Sequence, residues 1–255
     1  MNKLYSYGSS SKGNAYAVMF DDIFSTTIIL DAGVNVFHNL QDVNRIWLQR
    51  ASHVFISHEH GDHTRHLKNV LNNALLCKVV APEKVKNELI KRGRLGAYVG
   101  RFVAFNPHWI TQLPNSPLVF KCLKISHNSV ANFGYQIIHK ELDTGVLYIT
   151  DCGSFNPEQL DLELLAKTKL FLIESNHPHD LDPSNFKFAV QTSNQGHFNN
   201  KQAEKLVEYI EQELGRDIKS QVVWIHSSAG FFDELQQCDK YGKRLKAQAL
   251  ECVEF

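Results

Sequence analysis

The stretch HVFISHEHGDH, residues 53–63, passes from an apolar, β-branched segment into three histidines and two acidic side chains. Side chains two apart on an extended chain point the same way, so His58 and His60 converge on one point. The turn into a predicted helix with Asp62 as its N-cap would bring His63 back toward that point and leave Asp62 facing the other way. Imidazole and carboxylate groups suit zinc, manganese or iron. The cluster therefore predicts a site for two divalent metal ions, and the alternative is a histidine-rich surface loop.

Three later strand-like segments each end at a further candidate ligand. Residues 118–126 run into His127, residues 145–150 into Asp151, and residues 221–225 into His226. Because α/β proteins collect functional groups where strands end, we expect these side chains to meet at one edge of a sheet. A single histidine after a strand is more often a structural residue, but the order of these candidates behind residues 58–63 favours ligands.

This series of motifs resembles the metallo-β-lactamase fold superfamily. The resemblance implies an α/β fold, a four-layered αββα sandwich with the metal site at one edge of the two sheets. It also implies two divalent metal ions, zinc or manganese, with Asp151 bridging them. The first ion would be held by His58, His60, His63 and His127, and the second by Asp62, Asp151 and His226.

Two further stretches, residues 170–177 and 196–200, are similar to the WalJ/YycJ branch of that superfamily. The similarity implies that Glu174 and His197 lie beside the metals. Asn176 and His177, which follow Glu174 closely, are candidate substrate-binding residues. A carboxylate that accepts a hydrogen bond from one imidazole nitrogen fixes the tautomer and raises the basicity of the ring. His197 would then act as general acid, and Asp62 and Asp151 would position the attacking hydroxide. The alternatives are that Glu174 pairs with surface groups, that His197 caps the helix beginning near Asn199, and that His177 belongs to an exposed loop.

The N-terminal sequence YGSSSKGN, residues 7–14, is also similar to that branch. Small residues let backbone N–H groups approach an anion, and Ser10, Ser11, Lys12 and Asn14 add polar donors that suit a phosphate. A plain β-turn uses the same residues. Three departures limit the resemblance: residues 64–67 lack a glycine common in relatives, the polar run usual after His226 is missing, and residues 177–184 are peculiar to this chain.

The composition of the 255 residues, 43% of them hydrophobic, predicts one α/β domain over 1–255. Helices are predicted over residues 36–50, 62–75, 82–92, 157–167 and 201–214. The five cysteines lack a C-x-x-C spacing, which favours a reducing compartment, and no apolar run could span a bilayer, so we predict a cytoplasmic protein without a membrane partner.

The formal net charge is zero, so any binding of phosphate has to depend on a local group of basic residues. The basic segment, residues 84–101, contains Lys84, Lys86, Lys91, Arg92, Arg94 and Arg101, with Tyr98 available for stacking, and it predicts a nucleic-acid flank. The alternative is a solvated helix face followed by a loop.

Together these features predict a metal-dependent phosphodiester hydrolase, and the resemblance implies a DNA or RNA exonuclease acting from a 5′ end. The first alternative is a small-molecule hydrolase, such as a lactonase or cyclic-nucleotide phosphodiesterase, which needs a closed apolar pocket. The second is a non-catalytic regulatory protein that binds metal. The choice of DNA or RNA, the metal used and the oligomeric state stay open.

Overall fold

The computed structural model describes residues 1–38, 42–182, 184, 188–247 and 250–255. It divides into two compact units, the first formed by residues 1–106, 129–131 and 246–255, and the second by residues 107–128 and 132–245. Each unit has one mixed sheet with helices, which confirms the α/β class. The prediction of one domain over 1–255 stays a prediction.

The first unit contains a six-stranded sheet in the order β13-β1-β2-β3-β4-β5. Strands β13 to β3 pair antiparallel, whereas β3, β4 and β5 run parallel. The strands are β1 (Lys3–Ser10), β2 (Gly13–Met19), β3 (Thr27–Leu30), β4 (His53–Phe55), β5 (Lys78–Val80) and β13 (Glu251–Glu254). The helices are α1 (Asp42–Gln49), α2 (Gly61–Thr64), α3 (Leu67–Asn73) and α4 (Glu83–Lys91), with a 3₁₀ helix at Gly96–Arg101.

The second unit contains a seven-stranded sheet in the order β12-β11-β10-β9-β8-β7-β6. Strands β12 to β9 run parallel and β9 to β6 antiparallel. The strands are β6 (Thr111–Gln112), β7 (Leu118–Ile125), β8 (Asn132–His139), β9 (Thr144–Ile149), β10 (Thr168–Glu174), β11 (Val222–Ile225) and β12 (Lys243–Arg244). The helices are α5 (Leu162–Lys167), α6 (Phe188–Gln191), α7 (Asn200–Leu214) and α8 (Phe232–Cys238), with 3₁₀ helices at Pro157–Gln159 and Lys219–Gln221.

The core of the second unit lies between its sheet and α7. Ala203, Leu206, Val207 and Ile210 form the apolar stripe of α7 and pack with buried side chains of β7, β9, β10 and β11. Asn199 caps α7 in a capping box with Gln202, which explains why this helix begins where the sequence predicts it. Among the described residues, no helix is long and apolar enough to cross a membrane.

Three helix predictions are wrong in their extent. Residues 36–38 form a turn ahead of α1, and residues 39–41 lie outside the described residues. The helix predicted over 157–167 is a 3₁₀ turn followed by α5, because the Asp161 side chain caps a new start by accepting from the Leu164 N–H. The helix predicted over 62–75 is broken at residues 65–66, and Asp62 lies in the first turn of α2 rather than at its N-cap position, which His60 occupies.

Candidate metal centre

The histidine cluster of the first unit follows β4, where the chain turns into α2. His58 and His63 are fully buried, whereas His60 and Asp62 are partly exposed. The ring centroid of His58 lies 4.5 Å from that of His60 and 4.3 Å from that of His63. The three imidazoles therefore lie together, as the spacing predicts.

A buried carboxylate that the sequence analysis did not single out orients two of these rings. Asp31 follows β3, and its Oδ1 accepts from the Ser57 backbone N–H at 2.8 Å. Its Oδ2 accepts from the Ser57 hydroxyl at 2.8 Å and from His63 Nδ1 at 2.6 Å. Because the Ser57 hydroxyl donates to Asp31, it accepts from His58 Nδ1 at 3.0 Å. The network thus assigns the proton of both rings to Nδ1 and keeps Nε2 as the basic nitrogen, the form that binds a metal ion.

The loop after Asp31 also holds the backbone of the cluster. The Ala32 N–H donates to the His63 carbonyl at 2.7 Å, and the His66 N–H donates to the Ala32 carbonyl at 2.8 Å. A Cβ on Gly33 would lie 1.5 Å from the Asp62 carbonyl oxygen, so only glycine fits this approach. The His66 bond diverts the chain from helical pairing, which explains the break between α2 and α3.

The second unit brings four candidate ligands together at the ends of its strands and in one loop. Potential ligand atoms of Asp151, Glu174, His197 and His226 all lie within 4.8 Å of one another. Asp151 Oδ2 is 3.4 Å from His226 Nδ1, and Asp151 Oδ1 is 3.4 Å from His127 Nε2. The donor set, one or two carboxylates with imidazoles, suits a divalent transition-metal ion.

Glu174 and His197 form a hydrogen-bonded pair within this group. His197 Nδ1 donates to Glu174 Oε1 at 2.7 Å, while Glu174 Oε2 accepts from the backbone N–H groups of Cys152 and, at 3.3 Å, Phe198. Glu174 is fully buried, so the surface-pairing alternative is wrong. Since Asn199 caps α7, the capping alternative for His197 is wrong as well.

The loop before His197 fixes the ring of His127. His127 Nδ1 donates to the Gly196 carbonyl at 3.0 Å, which keeps Nε2 basic. Burial is the main effect on this group and lowers the pKa of His127, favouring the neutral imidazole that a metal ligand requires. A Cβ on Gly153 would lie 2.5 Å from both the Asn194 carbonyl oxygen and the Gly196 nitrogen, so this loop rests directly on the backbone after Asp151.

Three acidic and histidine residues of the two clusters have a backbone in the left-handed region. The φ angles are 55° at Asp31, 50° at Asp151 and 53° at His226, and each residue directly follows a strand or lies within two residues of its end. This conformation costs about 1–2 kcal/mol for a residue with a Cβ. Such outliers concentrate where a side chain must be aimed at a functional site.

The family model of the beta-lactamase superfamily domain matches residues 26–226. The chain belongs to the metallo-β-lactamase superfamily. No curated protein matches the sequence. Solved structures share the superfamily fold: YhfI from Bacillus subtilis, a metallo-beta-lactamase fold protein, is 17% identical with a TM-score of 0.70, covering 100% of this chain and 99% of its own.

Two further solved structures are similar across the superfamily fold. A diphosphatase from the PhnP family is 14% identical with a TM-score of 0.64, covering 100% of this chain and 98% of its own. The short form of human tRNase Z, ELAC1, is 14% identical with a TM-score of 0.62, covering 99% of this chain and 98% of its own. At these identities the likeness shows the fold, and the prediction of the metallo-β-lactamase fold is confirmed.

Arg244, which the sequence analysis does not single out, holds the chain after two of the strands. It donates to the Ser175 carbonyl at 2.8 Å, to the Ser175 hydroxyl at 3.0 Å and to the Ser227 hydroxyl at 2.6 Å. Two more bonds, of 2.7 and 2.6 Å, join it to the Asp239 carboxylate. Ser175 and Ser227 directly follow Glu174 and His226, so three of the five bonds of this buried guanidinium hold the chain beside both, and the two bonds to Asp239 orient the guanidinium.

The side chains of Asn176 and His177 lie inside the second unit. The Asn176 amide donates to the His226 carbonyl at 2.7 Å and accepts from Gln191 at 3.3 Å, so it supports the backbone of His226 rather than reaching outward to a substrate. His177 Nδ1 donates to the Pro178 carbonyl at 2.7 Å, and the residue is 1% exposed. The exposed-loop alternative is therefore wrong for His177.

The N-terminal turn forms the hairpin between β1 and β2. The Ser10 hydroxyl accepts from the Lys12 N–H at 3.2 Å, and the Asn14 amide donates to the Ser10 carbonyl at 2.9 Å. Asn14 also lies 3.2 Å from His63 Nε2. Ser10 and Asn14 are fully buried, and their side chains bond within the turn and, for Asn14, with His63. Ser11 and Lys12 are exposed.

The basic segment of the first unit uses much of its charge within the unit. Arg92 pairs with Glu88 at 2.7 Å and with Glu59 at 3.4 Å. Arg101 donates to the Leu71 carbonyl at 2.8 Å and lies over the Tyr98 ring, 4.8 Å from its centroid. The guanidinium covers one face of the Tyr98 ring, and the use of this segment as a nucleic-acid flank stays a prediction.

Proposed function

We propose that this protein is a metal-dependent phosphodiester hydrolase, a DNA or RNA exonuclease of the WalJ/YycJ type that acts from the 5′ end. The observation that carries the proposal is the hydrogen bond from His197 to the buried Glu174, within a group that also contains Asp151 and His226. Two structural neighbours are named as a diphosphatase and a tRNase Z, and both names describe hydrolysis at phosphate.

The proposed ligands follow the assignment that the superfamily resemblance implies. His58, His60, His63 and His127 would hold one divalent ion, zinc or manganese, and Asp62, Asp151 and His226 the other. The tautomers set by Asp31, Ser57 and Gly196 favour this assignment, because they keep Nε2 basic on three of the four histidines. When bound, such ions lower the pKa of a water molecule and offset negative charge on phosphoryl oxygens.

The protein side chains supply orientation and a proton. The carboxylates of Asp62 and Asp151 would position the attacking water, because a carboxylate oxygen accepts its hydrogen bond. His197 holds Nδ1–H against Glu174, so protonation of the ring at Nε2 gives an imidazolium that the buried carboxylate stabilises. That proton would pass to the departing sugar oxygen as the phosphorus–oxygen bond breaks.

The first experiment is digestion of end-labelled single-stranded and duplex DNA and RNA, with or without a 5′ phosphate, by the manganese-loaded protein. Asp62→Ala and Asp151→Ala serve as inactive variants, and Asp161→Ala, which removes only a helix cap, controls for loss of a carboxylate. Stepwise release of mononucleotides from the 5′ end by the parent and by Asp161→Ala alone supports the proposal. Turnover of a lactone or a cyclic nucleotide without cleavage of any polymer would replace it with the small-molecule hydrolase.

The role of His197 is tested by varying the leaving group. His197→Ala should retain metal and lose turnover of polynucleotides by about 10²–10⁴-fold, with a much smaller loss for nitrophenyl phosphodiesters, whose leaving group needs no proton. His179→Ala is the matched control, since His179 is an exposed histidine of the same unit. Equal losses on both substrate types, or loss of metal in the His197 variant, would remove the general-acid role.

A further inference from the structure

A shallow groove in the second unit lies between the end of β7 and the loop after β9. It is open to solvent, has a volume of about 470 Å³ and is lined by Lys124, Ser126, Ser154, Phe155 and Asn156. Ser126 directly precedes the proposed ligand His127, and Ser154 follows Asp151 by three residues. The groove therefore opens beside the chain segments that carry two proposed ligands.

The walls of the groove are held by hydrogen bonds on both sides. The Ser126 N–H donates to the Ser154 carbonyl at 3.0 Å, and the Gly153 N–H donates to the Ser126 carbonyl at 2.8 Å. The Gln159 side chain accepts from the Lys124 N–H at 2.9 Å and donates to the Lys124 carbonyl at 3.2 Å. Both walls are thus fixed before any ligand binds, which lowers the ordering cost of binding.

The lining combines one aromatic ring, one cation and three small polar side chains. Phe155 is partly buried against the core of the second unit, which limits the movement of the ring. Lys124 is exposed at the rim. Proteins that bind single-stranded nucleic acid pair an aromatic platform for the base with a cation for the backbone. A volume of about 470 Å³ also falls within the range of small-ligand sites.

We infer that this groove binds one nucleoside of the substrate strand, with the base stacked on Phe155 and the adjoining phosphate paired with Lys124. The inference rests on the proposed function and adds a binding subsite to it. The hydroxyls of Ser126 and Ser154 line the same groove and match the polar edge of a base or a sugar. Stacking on a ring is tolerant of base identity, so the subsite would accept all four nucleotides with modest preference.

The test compares two diesters with the same leaving group, thymidine 5′-(4-nitrophenyl) phosphate and methyl 4-nitrophenyl phosphate. The ratio of their kcat/KM values reports the contribution of the nucleoside. Phe155→Ala should lower that ratio about tenfold or more, through KM, with the methyl ester unchanged. Tyr209→Ala is the matched control, because Tyr209 packs partly buried against the same core without lining the groove.

A second pair of variants tests the cation. Lys124→Gln should weaken binding of a 5′-labelled oligonucleotide to the metal-free protein and flatten its salt dependence, whereas Lys121→Gln, on the same strand and outside the groove lining, should not. If polynucleotides are cleaved and Phe155→Ala behaves like Tyr209→Ala, the groove assignment fails and the proposed function stands. If no polynucleotide is bound or cleaved, both fail.

Discussion

Replacing Asp31 by asparagine should reverse the tautomers of two proposed metal ligands. The Ser57 backbone N–H, 2.8 Å from Oδ1, forces the amide oxygen of the new side chain to that position, so the amide NH₂ takes the place of Oδ2. Its N–H groups would then donate to His63 Nδ1 and to the Ser57 hydroxyl, which in turn would donate to His58 Nδ1. Both rings would carry the proton on Nε2, the nitrogen that a metal ion needs.

The magnitude follows from the loss of one orienting carboxylate for two histidines. Removing an outer carboxylate partner of a single ligand costs 10- to 100-fold in metal affinity, so we expect about 100-fold, or about 2.7 kcal/mol. His63 Nε2–H would also face the Asn14 amide N–H, now 3.2 Å away, which sets one donor against another. Asparagine tolerates the φ of 55° at this position as well as aspartate does, so backbone strain does not contribute.

The assay is zinc titration in competition with a chromophoric chelator, with imidazole ¹⁵N spectra of the metal-free protein to read the tautomers. Asp161→Asn makes the same chemical change at a helix cap and should leave the affinity unaltered. A folded Asp31→Asn protein that binds zinc as tightly as the parent, or that keeps its histidines protonated at Nδ1, would refute the reasoning.

Other expectations concern stability. Burial lowers the pKa of His53 from 6.5 to about 4, so below pH 6.5 the unfolded chain binds a proton that the native state does not. The free energy of unfolding is therefore unaffected by this group above pH 6.5 and should fall by up to about 3 kcal/mol at pH 4. Urea unfolding across that range should show a shallower loss for His53→Gln, and parallel curves would contradict the assignment. The added Cβ of Gly33→Ala would overlap the Asp62 carbonyl, so this variant should lose about 3 kcal/mol or more of unfolding free energy and also its metal affinity. A melting temperature equal to that of the parent would contradict this expectation. Arg244→Lys, with three donors for five bonds, should destabilise by about 2 kcal/mol and weaken metal binding, and an unchanged melting temperature and affinity would show that the bonds to Ser175 are dispensable.

The strands and their terminal residues were predictable because short apolar, β-branched runs identify buried strands, whether parallel (β10, β11) or antiparallel (β7). The positions of His127, Asp151 and His226 follow from where those runs end, and α7 begins and ends close to the predicted bounds because its stripe and its cap agree. The sequence was sufficient where an element is determined by its own residues, as α7 is by its apolar stripe and its cap.

The supporting contacts were not predictable in the same way, since they join residues far apart in the chain. Asp31 reaches His63 across 32 residues, and Arg244 reaches Ser175 across 69. One sequence signal could have identified Asp31. Like Asp151, it is an acidic residue that closely follows a strand. The break between α2 and α3 has the same origin, because the His66 N–H pairs with a loop from another part of the chain.

The left-handed backbone at Asp151 and His226 has a consequence for how this protein would respond to selection. Glycine adopts that conformation without the steric cost of about 1–2 kcal/mol but loses about 0.5–1 kcal/mol more chain entropy on folding, so each position gives up about 1 kcal/mol of folding free energy to carry its side chain. A directed-evolution screen for heat resistance alone, run on the metal-free protein, should therefore enrich glycine at both positions. Under the proposed metal assignment the stabilised survivors would lack two ligands, so such a screen must score metal binding at every round.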